Sequence, residues 1–278
     1  MNIIGQKTLI NNIDNLIEHN NLPRYIIIQG PMGSGKKLLA DYIAKKLNAL
    51  LVPSDLSVDS VREVIELAYQ QTEDMVYLWG DADKMSVSAK NAVLKITEEA
   101  PQKAYFIMTT VNTSLLLNTL ISRAYVIDMQ PYTVDDLIEF AQYKFSDLTD
   151  KVLNTMIDLS STPGDMINLS DVDIAYLNKI TDILCKSVGS NNLANELKIT
   201  TFLRFKSEDK DKIEPLLFMQ TCMLKFSELM LENYDLRYAD LITLTNKYMA
   251  DIDSKSLNRQ SVVDNWIIDM HTLVAGGV

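Results

Sequence analysis

The sequence predicts an α/β domain, a five-stranded parallel sheet with helices between its strands, followed by a chain that is helical to its end. Three observations carry this. Up to about residue 130, short β-branched and aromatic runs alternate with stretches of helical periodicity, as in repeated βα units. Beyond Pro131 the strand signals stop and long helical patterns take over. Between the first strand and the first periodic helix lies a glycine-rich loop beginning at Gly30.

Taken in order, residues 25–29 (YIIIQ) read as the first strand, ending at Gly30. Residues 37–50 read as a helix with Leu38, Leu39, Tyr42, Ile43 and Leu47 on one side. Residues 49–53 give a second short strand, 61–71 (VREVIELAYQQ) a helix, and 75–79 (MVYLW) a third strand. The nearly unbroken apolar character of that third strand suits one covered on both faces. A helix over 86–99 leads to a fourth strand at 104–109 and a fifth at 124–129. Thr133 precedes a helix over 134–144, with Asp135 and Asp136 in the first turn, where acids suit the helix dipole. Further helices cover about 150–159 and the stretch after Pro163 and Gly164. Apolar residues recur at helical spacing in 202–205, 216–231 and 241–249; Trp266 and Met270 share one face near the end, as core or as interface. Residues 206–212 (KSEDKDK) are a solvated charge run. The plan is an α/β domain over 1–130, a small helical domain over 131–175 and a helical C-terminal domain over 176–278.

The totals narrow the function. The chain has 278 residues, 47% of them hydrophobic, ample for two domains. A net charge of −11 lacks the basic footprint of an autonomous duplex-DNA binder. No uncharged apolar run is long enough for a membrane span, and MNIIGQKTLI lacks the marks of a secretory signal, so a cytoplasmic location is expected. Cys185 and Cys222 form no metal-ligand or disulfide framework and read as buried free thiols. His19 and His271 lie far from any acid-and-nucleophile pattern and read as surface or packing residues.

Gly30, Pro31, Met32, Gly33, Ser34, Gly35, Lys36 and Lys37 spell GPMGSGKK after a strand and at the start of a helix, the context of a phosphate-binding P-loop. Glycines let the backbone turn tightly, its amides and the helix N-terminus face the anion, and Lys36 can reach the outer phosphates. The next position ordinarily carries a Ser or Thr hydroxyl for Mg²⁺. Here it is Lys37, whose ammonium has no lone pair to offer. ATP or ADP is the expected ligand, and Mg²⁺-dependent hydrolysis is placed in doubt. Residues 75–83 (MVYLWGDAD) put acids at the end of an apolar strand, where one acid orders the metal and the next polarises the attacking water. Asp81 and Asp83 could do such work or stand in a solvated loop that caps a helix.

At this point the sequence resembles the clamp loaders of the AAA+ class. Residues 81–85 (DADKM) followed by 91–101 (NAVLKITEEAP) look like the string from Walker B through "NALLKxLEEPP". Residues 116–124 (LLNTLISRA, after Leu115) look like "LLxTIxSRC", and Gly5-Gln6 resembles the segment beside the adenine site. The relatives are the bacterial DNA polymerase III gamma/tau and delta-prime subunits and the replication factor C small subunits. The resemblance implies that Arg123 is an arginine finger for a neighbouring subunit's ATP site; the alternative is a surface Arg in a salt bridge. It places Thr110, or else Asn112, near the polar sensor of the γ-phosphate, although either could cap the next helix.

Departures from the pattern carry information too. The family's Asp-Glu-Ala-Asp is Gly80-Asp81-Ala82-Asp83 here, so the metal position is Gly80 and the water-activating acid is the shorter Asp81. Residues 162–166 (TPGDM) occupy the start of the second-sensor helix without its Arg, and the four-Cys zinc module is missing, so no zinc is expected. A delta-prime-like subunit fits these departures best: an arginine finger in trans with little or no ATPase of its own, other clamp-loader subunits around it in a hetero-oligomeric ring, a sliding clamp, and primed DNA reached through the assembled complex. The alternative is an ATP-hydrolysing motor subunit. A small-molecule P-loop kinase would need an acceptor site and an Arg-rich lid, and a helicase loader would need a DNA- or helicase-binding extension; neither is recognisable.

Overall fold

The computed structural model describes residues 3–98, 101–188, 192–205, 212–252 and 257–275. Its elements run α1 (Lys7–Glu18), β1 (Tyr25–Gln29), α2 (Lys36–Lys46), β2 (Leu50–Ser54), α3 (Val58–Gln70), β3 (Met75–Trp79), α4 (Val87–Glu98), β4 (Ala104–Thr110), α5 (Asn118–Ile121), β5 (Tyr125–Asp128) and α6 (Val134–Lys144). There follow α7 (Asp150–Asp158), α8 (Pro163–Leu169), α9 (Ile174–Ser187), α10 (Leu193–Leu197), α11 (Pro215–Asn233), α12 (Arg237–Ile252) and α13 (Arg259–Ala275). Two compact units result: Met1–Ser146 with Ser160–Asp165, and Asp147–Leu159 with Met166–Val278. Among the described residues no helix is long and apolar enough to cross a membrane.

The first unit is built on one parallel sheet in the order β2-β3-β4-β1-β5. Side chains alternate across a strand, so each apolar strand supplies both faces. Ile27, Tyr77, Trp79, Phe106 and Met108 point to one core with α3 and α4, whereas Ile26, Ile28, Val76, Leu78 and Ile107 point to the other with α1 and α2. Phe106 stacks between Tyr77 (5.6 Å) and Trp79 (5.8 Å). Strand register brings the C-terminal ends of β1, β3 and β4 together, where parallel α/β sheets hold their ligands.

Several boundaries move for local reasons. The helix expected over 37–50 stops at Lys46, because Asn48 takes a left-handed conformation (φ 50°) and the Ala49 amide turns back to the Ala44 carbonyl (2.9 Å). Helix α3 starts three residues before the expected 61, where the Ser57 hydroxyl caps the Ser60 amide (3.2 Å). Thr133 caps α6 in a full capping box with Asp136. The charge run falls almost wholly outside the described residues.

The second unit is a helical assembly. Trp266 and Met270 are fully buried, which makes both core residues; Trp266 meets Phe218 edge-on at 6.1 Å and donates its indole N–H to Thr245 Oγ1 at 3.1 Å. Cys185 and Cys222 are buried free thiols. His271 is a packing residue whose Nδ1 lies 3.1 Å from a carboxylate oxygen of the buried Glu196. Burial pushes the Glu196 carboxyl above its ordinary value, and His271 pulls it partly back. A raised folded-state value means this group's contribution to stability is fully present below the unfolded carboxyl value and is lost as pH rises through the folded one. Replacing it by Glu196→Gln, neutral throughout, is therefore expected to flatten part of the stability slope in thermal unfolding as pH rises above the ordinary carboxyl range. An unchanged slope contradicts the assignment.

Candidate functional site

The glycine loop spans the gap between the end of β1 and the start of α2, so its backbone amides lie at a helix N-terminus. Gly33 and Gly35 take left-handed conformations (φ 76° and 84°) that any side chain would strain. Lys36 is buried and folds back into the loop: its ammonium donates to the Gly30 and Pro31 carbonyls, both at 2.7 Å. Burial pushes its pKa below the ordinary lysine value, with Asp81 and Asp83 opposing that shift. Ser34 Oγ donates to the Pro31 carbonyl (2.8 Å), and the Tyr132 hydroxyl donates to the Ser34 carbonyl (3.0 Å). Pro31 and Met32 are exposed at the tip.

A second segment of the same unit clasps this loop. Thr162 Oγ1 donates to the Met32 carbonyl (3.2 Å), and the Gly164 amide donates to the Gly33 carbonyl (3.1 Å). The approach is so close that a Cβ built on Gly164 would lie 2.2 Å from Gly33 Cα. Asp165 fixes the turn by accepting from the Ser161 and Thr162 amides (3.1 and 2.9 Å). This is the TPGDM stretch, and the packing role of its glycine was not legible in the sequence.

At the end of β3 the backbone turns through Asp81 in a left-handed conformation (φ 59°), with its amide donating to Thr109 Oγ1 (2.9 Å). The Asp81 carboxylate pairs with Lys37 (3.2 Å) and more loosely with Lys84 (3.8 Å). Lys37 lies across Gly80: a Cβ there would fall 2.6 Å from Lys37 Cε. Asp83 has one buried carboxylate oxygen without a hydrogen-bond partner among the described residues. Thr109, not Thr110, touches this acidic turn. Thr110 is buried with its hydroxyl accepting from the Asn112 amide (3.3 Å) and donating to the Asn112 carbonyl (3.0 Å), and Asn112 caps the short turn Thr113–Leu115. A lone pair of threonines ending an otherwise apolar strand was the only sequence hint of Thr109.

Gly5 takes a left-handed conformation (φ 75°), and the buried Gln6 grips Gln130 through two bonds (2.8 and 2.9 Å) beside a cavity of about 400 Å³. Arg123 lies two residues before β5, an edge strand of the sheet. Its side chain is 38% exposed. One guanidinium nitrogen donates to the Thr119 carbonyl (3.0 Å) and another to Glu98 (3.1 Å), the last residue of α4. The arginine therefore sits on the rim, held by one carbonyl and one exposed carboxylate. Glu98 was not singled out from the sequence.

Comparison with known proteins agrees with this geometry. The family described as "DNA polymerase III, delta subunit" matches residues 53–133, from β2 to the cap of α6. DNA polymerase III subunit gamma of Buchnera aphidicola is 24% identical over 172 residues, covering 51% of this chain and 48% of that protein. DNA polymerase III subunit tau of Bacillus subtilis is 22% identical over 282 residues, covering 81% and 49%. Replication factor C small subunit of Aeropyrum pernix is 24% identical over 208 residues, covering 67% and 63%. The chain spans about half the length of the DNA polymerase III relatives it matches. Among solved structures, the Thermotoga maritima RuvB Holliday junction branch migration motor shares the fold, with TM-score 0.52, 19% identity and coverage of 83% of this chain and 77% of that one. By sequence the chain is similar to DNA polymerase III gamma and tau subunits and a replication factor C small subunit, and by structure it shares the fold of the RuvB motor: it resembles the AAA+ clamp-loader family.

Proposed function

We propose that the chain is a delta-prime-like subunit of a replicative clamp loader, which donates Arg123 to the ATP site of a neighbouring subunit and hydrolyses little or no ATP itself. The observation that carries the reading is the contrast between two cations. Arg123 stands at an exposed rim, tied among the described residues by an exposed ion pair and one carbonyl, so a triphosphate can compete for it. Lys37 stands where a metal-binding hydroxyl is needed and pairs with Asp81, the acid at the water-activating position of the pattern. Gly80 offers no ligand beside it, so these residues do not fit a magnesium ion. Magnesium would supply charge neutralisation of the β- and γ-phosphates; here Lys36 would meet a phosphate without that help, and only after leaving the Gly30 and Pro31 carbonyls.

In this reading residues 1–130 form the nucleotide-binding domain, 131–175 the lid and 176–278 the collar that joins a hetero-oligomeric ring. The sliding clamp and primed DNA are partners of the assembled complex. ATP turnover tests it. The isolated chain is expected to show none above background, and Lys36→Ala in the purified assembly to change turnover by less than about twofold. Turnover by the isolated chain that disappears in Lys36→Ala would make it a motor subunit instead.

A further inference from the structure

The two departures at Lys37 and Gly80 are one structural arrangement. Successive helix residues point about 100° apart. Lys36 turns into the loop, and Lys37, next along α2, turns toward the end of β3. Its stem crosses the space that any side chain at position 80 would need: a Cβ on Gly80 would lie 2.6 Å from Lys37 Cε and 3.0 Å from Nζ. The ammonium ends 3.2 Å from Asp81 Oδ2. The Asp81 backbone is fixed beside it, because its amide donates to Thr109 Oγ1 at 2.9 Å in a left-handed turn. A lysine has replaced the hydroxyl, a glycine has replaced the carboxylate, and the lysine fills the volume the glycine leaves.

We propose that the Lys37 ammonium is a resident cation that stands in the place of the divalent metal and excludes it from this loop. Three features make the exclusion chemical as well as steric. A divalent ion such as magnesium needs oxygen ligands, and positions 37 and 80 supply none. A metal arriving at Asp81 meets a like charge already paired to it. Lys84 approaches the same carboxylate at 3.8 Å, adding a second positive group. The proposal deepens the reading of the chain's own loop as idle and is independent of what Arg123 does.

Manganese, a paramagnetic divalent ion, is the probe, with the folded full chain followed by amide NMR. In the wild type the Gly80 and Asp81 amides are expected to show no saturable broadening beyond that of exposed surface acids. In the double variant Lys37→Ser with Gly80→Asp, which restores a hydroxyl and a carboxylate, the same amides are expected to broaden saturably, with affinity at least about tenfold above wild type. Should the double variant not fold, Lys37→Thr alone supplies the hydroxyl and is expected to give the same saturable broadening at lower affinity. Saturable broadening at Gly80 and Asp81 in the wild type overturns the proposal, as does a folded variant that gains no manganese. Neither result touches Arg123, whose role is read from turnover of the assembly.

Discussion

Replacing Arg123 by alanine is expected to lower ATP turnover at the neighbouring site that it serves by about 10³-fold while leaving the thermal stability of the chain nearly unchanged. A guanidinium supplied in trans is fixed, always charged and able to hold a phosphate through two donors. On the proposed role, removing it would leave the charge developing on the transferred phosphoryl group with one counter-ion fewer. The stability forecast rests on the surroundings. The Arg123 partner Glu98 is 62% exposed, and pairs of that kind contribute about 0–1 kcal/mol. Arg123→Lys keeps the charge and loses the fork, so it is expected to recover only part of the rate. Steady-state turnover of assemblies carrying each variant checks both. A small rate effect with a large loss of stability would mean that the residue is a surface tie for α4 and α5.

The second large effect is expected at Gly164. Its backbone conformation is not left-handed, so alanine faces no conformational penalty there. The obstacle is contact: an added Cβ would meet Gly33 Cα at 2.2 Å and the Gly33 carbonyl carbon and oxygen at 3.0 Å. All three are backbone atoms, and no rotamer change can move them aside. Overpacking of this kind costs about 1–3 kcal/mol, and the 3.1 Å bond from the Gly164 amide to the Gly33 carbonyl is lost with it. Thermal unfolding of Gly164→Ala should show that loss. Thr162→Ala, which gives up the bond to the Met32 carbonyl and a cap on Asp165, is expected to cost about 1 kcal/mol. A Gly164→Ala protein within about 0.5 kcal/mol of wild type would show that the clasp does not hold the loop.

What the sequence revealed and what it hid follow from the range of the interactions. Strands β1 and β3 were legible because a doubly covered strand must be apolar along its length, and YIIIQ and MVYLW are. Helix α6 was legible because its cap is local, four residues long and chemically specific. The glycine loop announced itself by its place between strand and helix, and Arg123 by the string around it. The clasp was hidden because Gly33 and Gly164 meet across more than a hundred residues, and a glycine contact has no composition signature. Thr109 was hidden by its neighbour: two adjacent threonines end β4, and only the pleat decides which faces the acidic turn. Lys37 was legible as a missing hydroxyl; that its stem lies over Gly80 required coordinates.

The most direct test is a structure of the assembly with a non-hydrolysable ATP analogue, resolved well enough to see side chains at each subunit boundary. The account predicts the Arg123 guanidinium within hydrogen-bond distance of the γ-phosphate on the adjoining subunit, parted from Glu98, with Lys36 still on the Gly30 and Pro31 carbonyls. Magnesium and nucleotide seated in this chain's own loop, with Arg123 still on Glu98 and no phosphate near it, would contradict it.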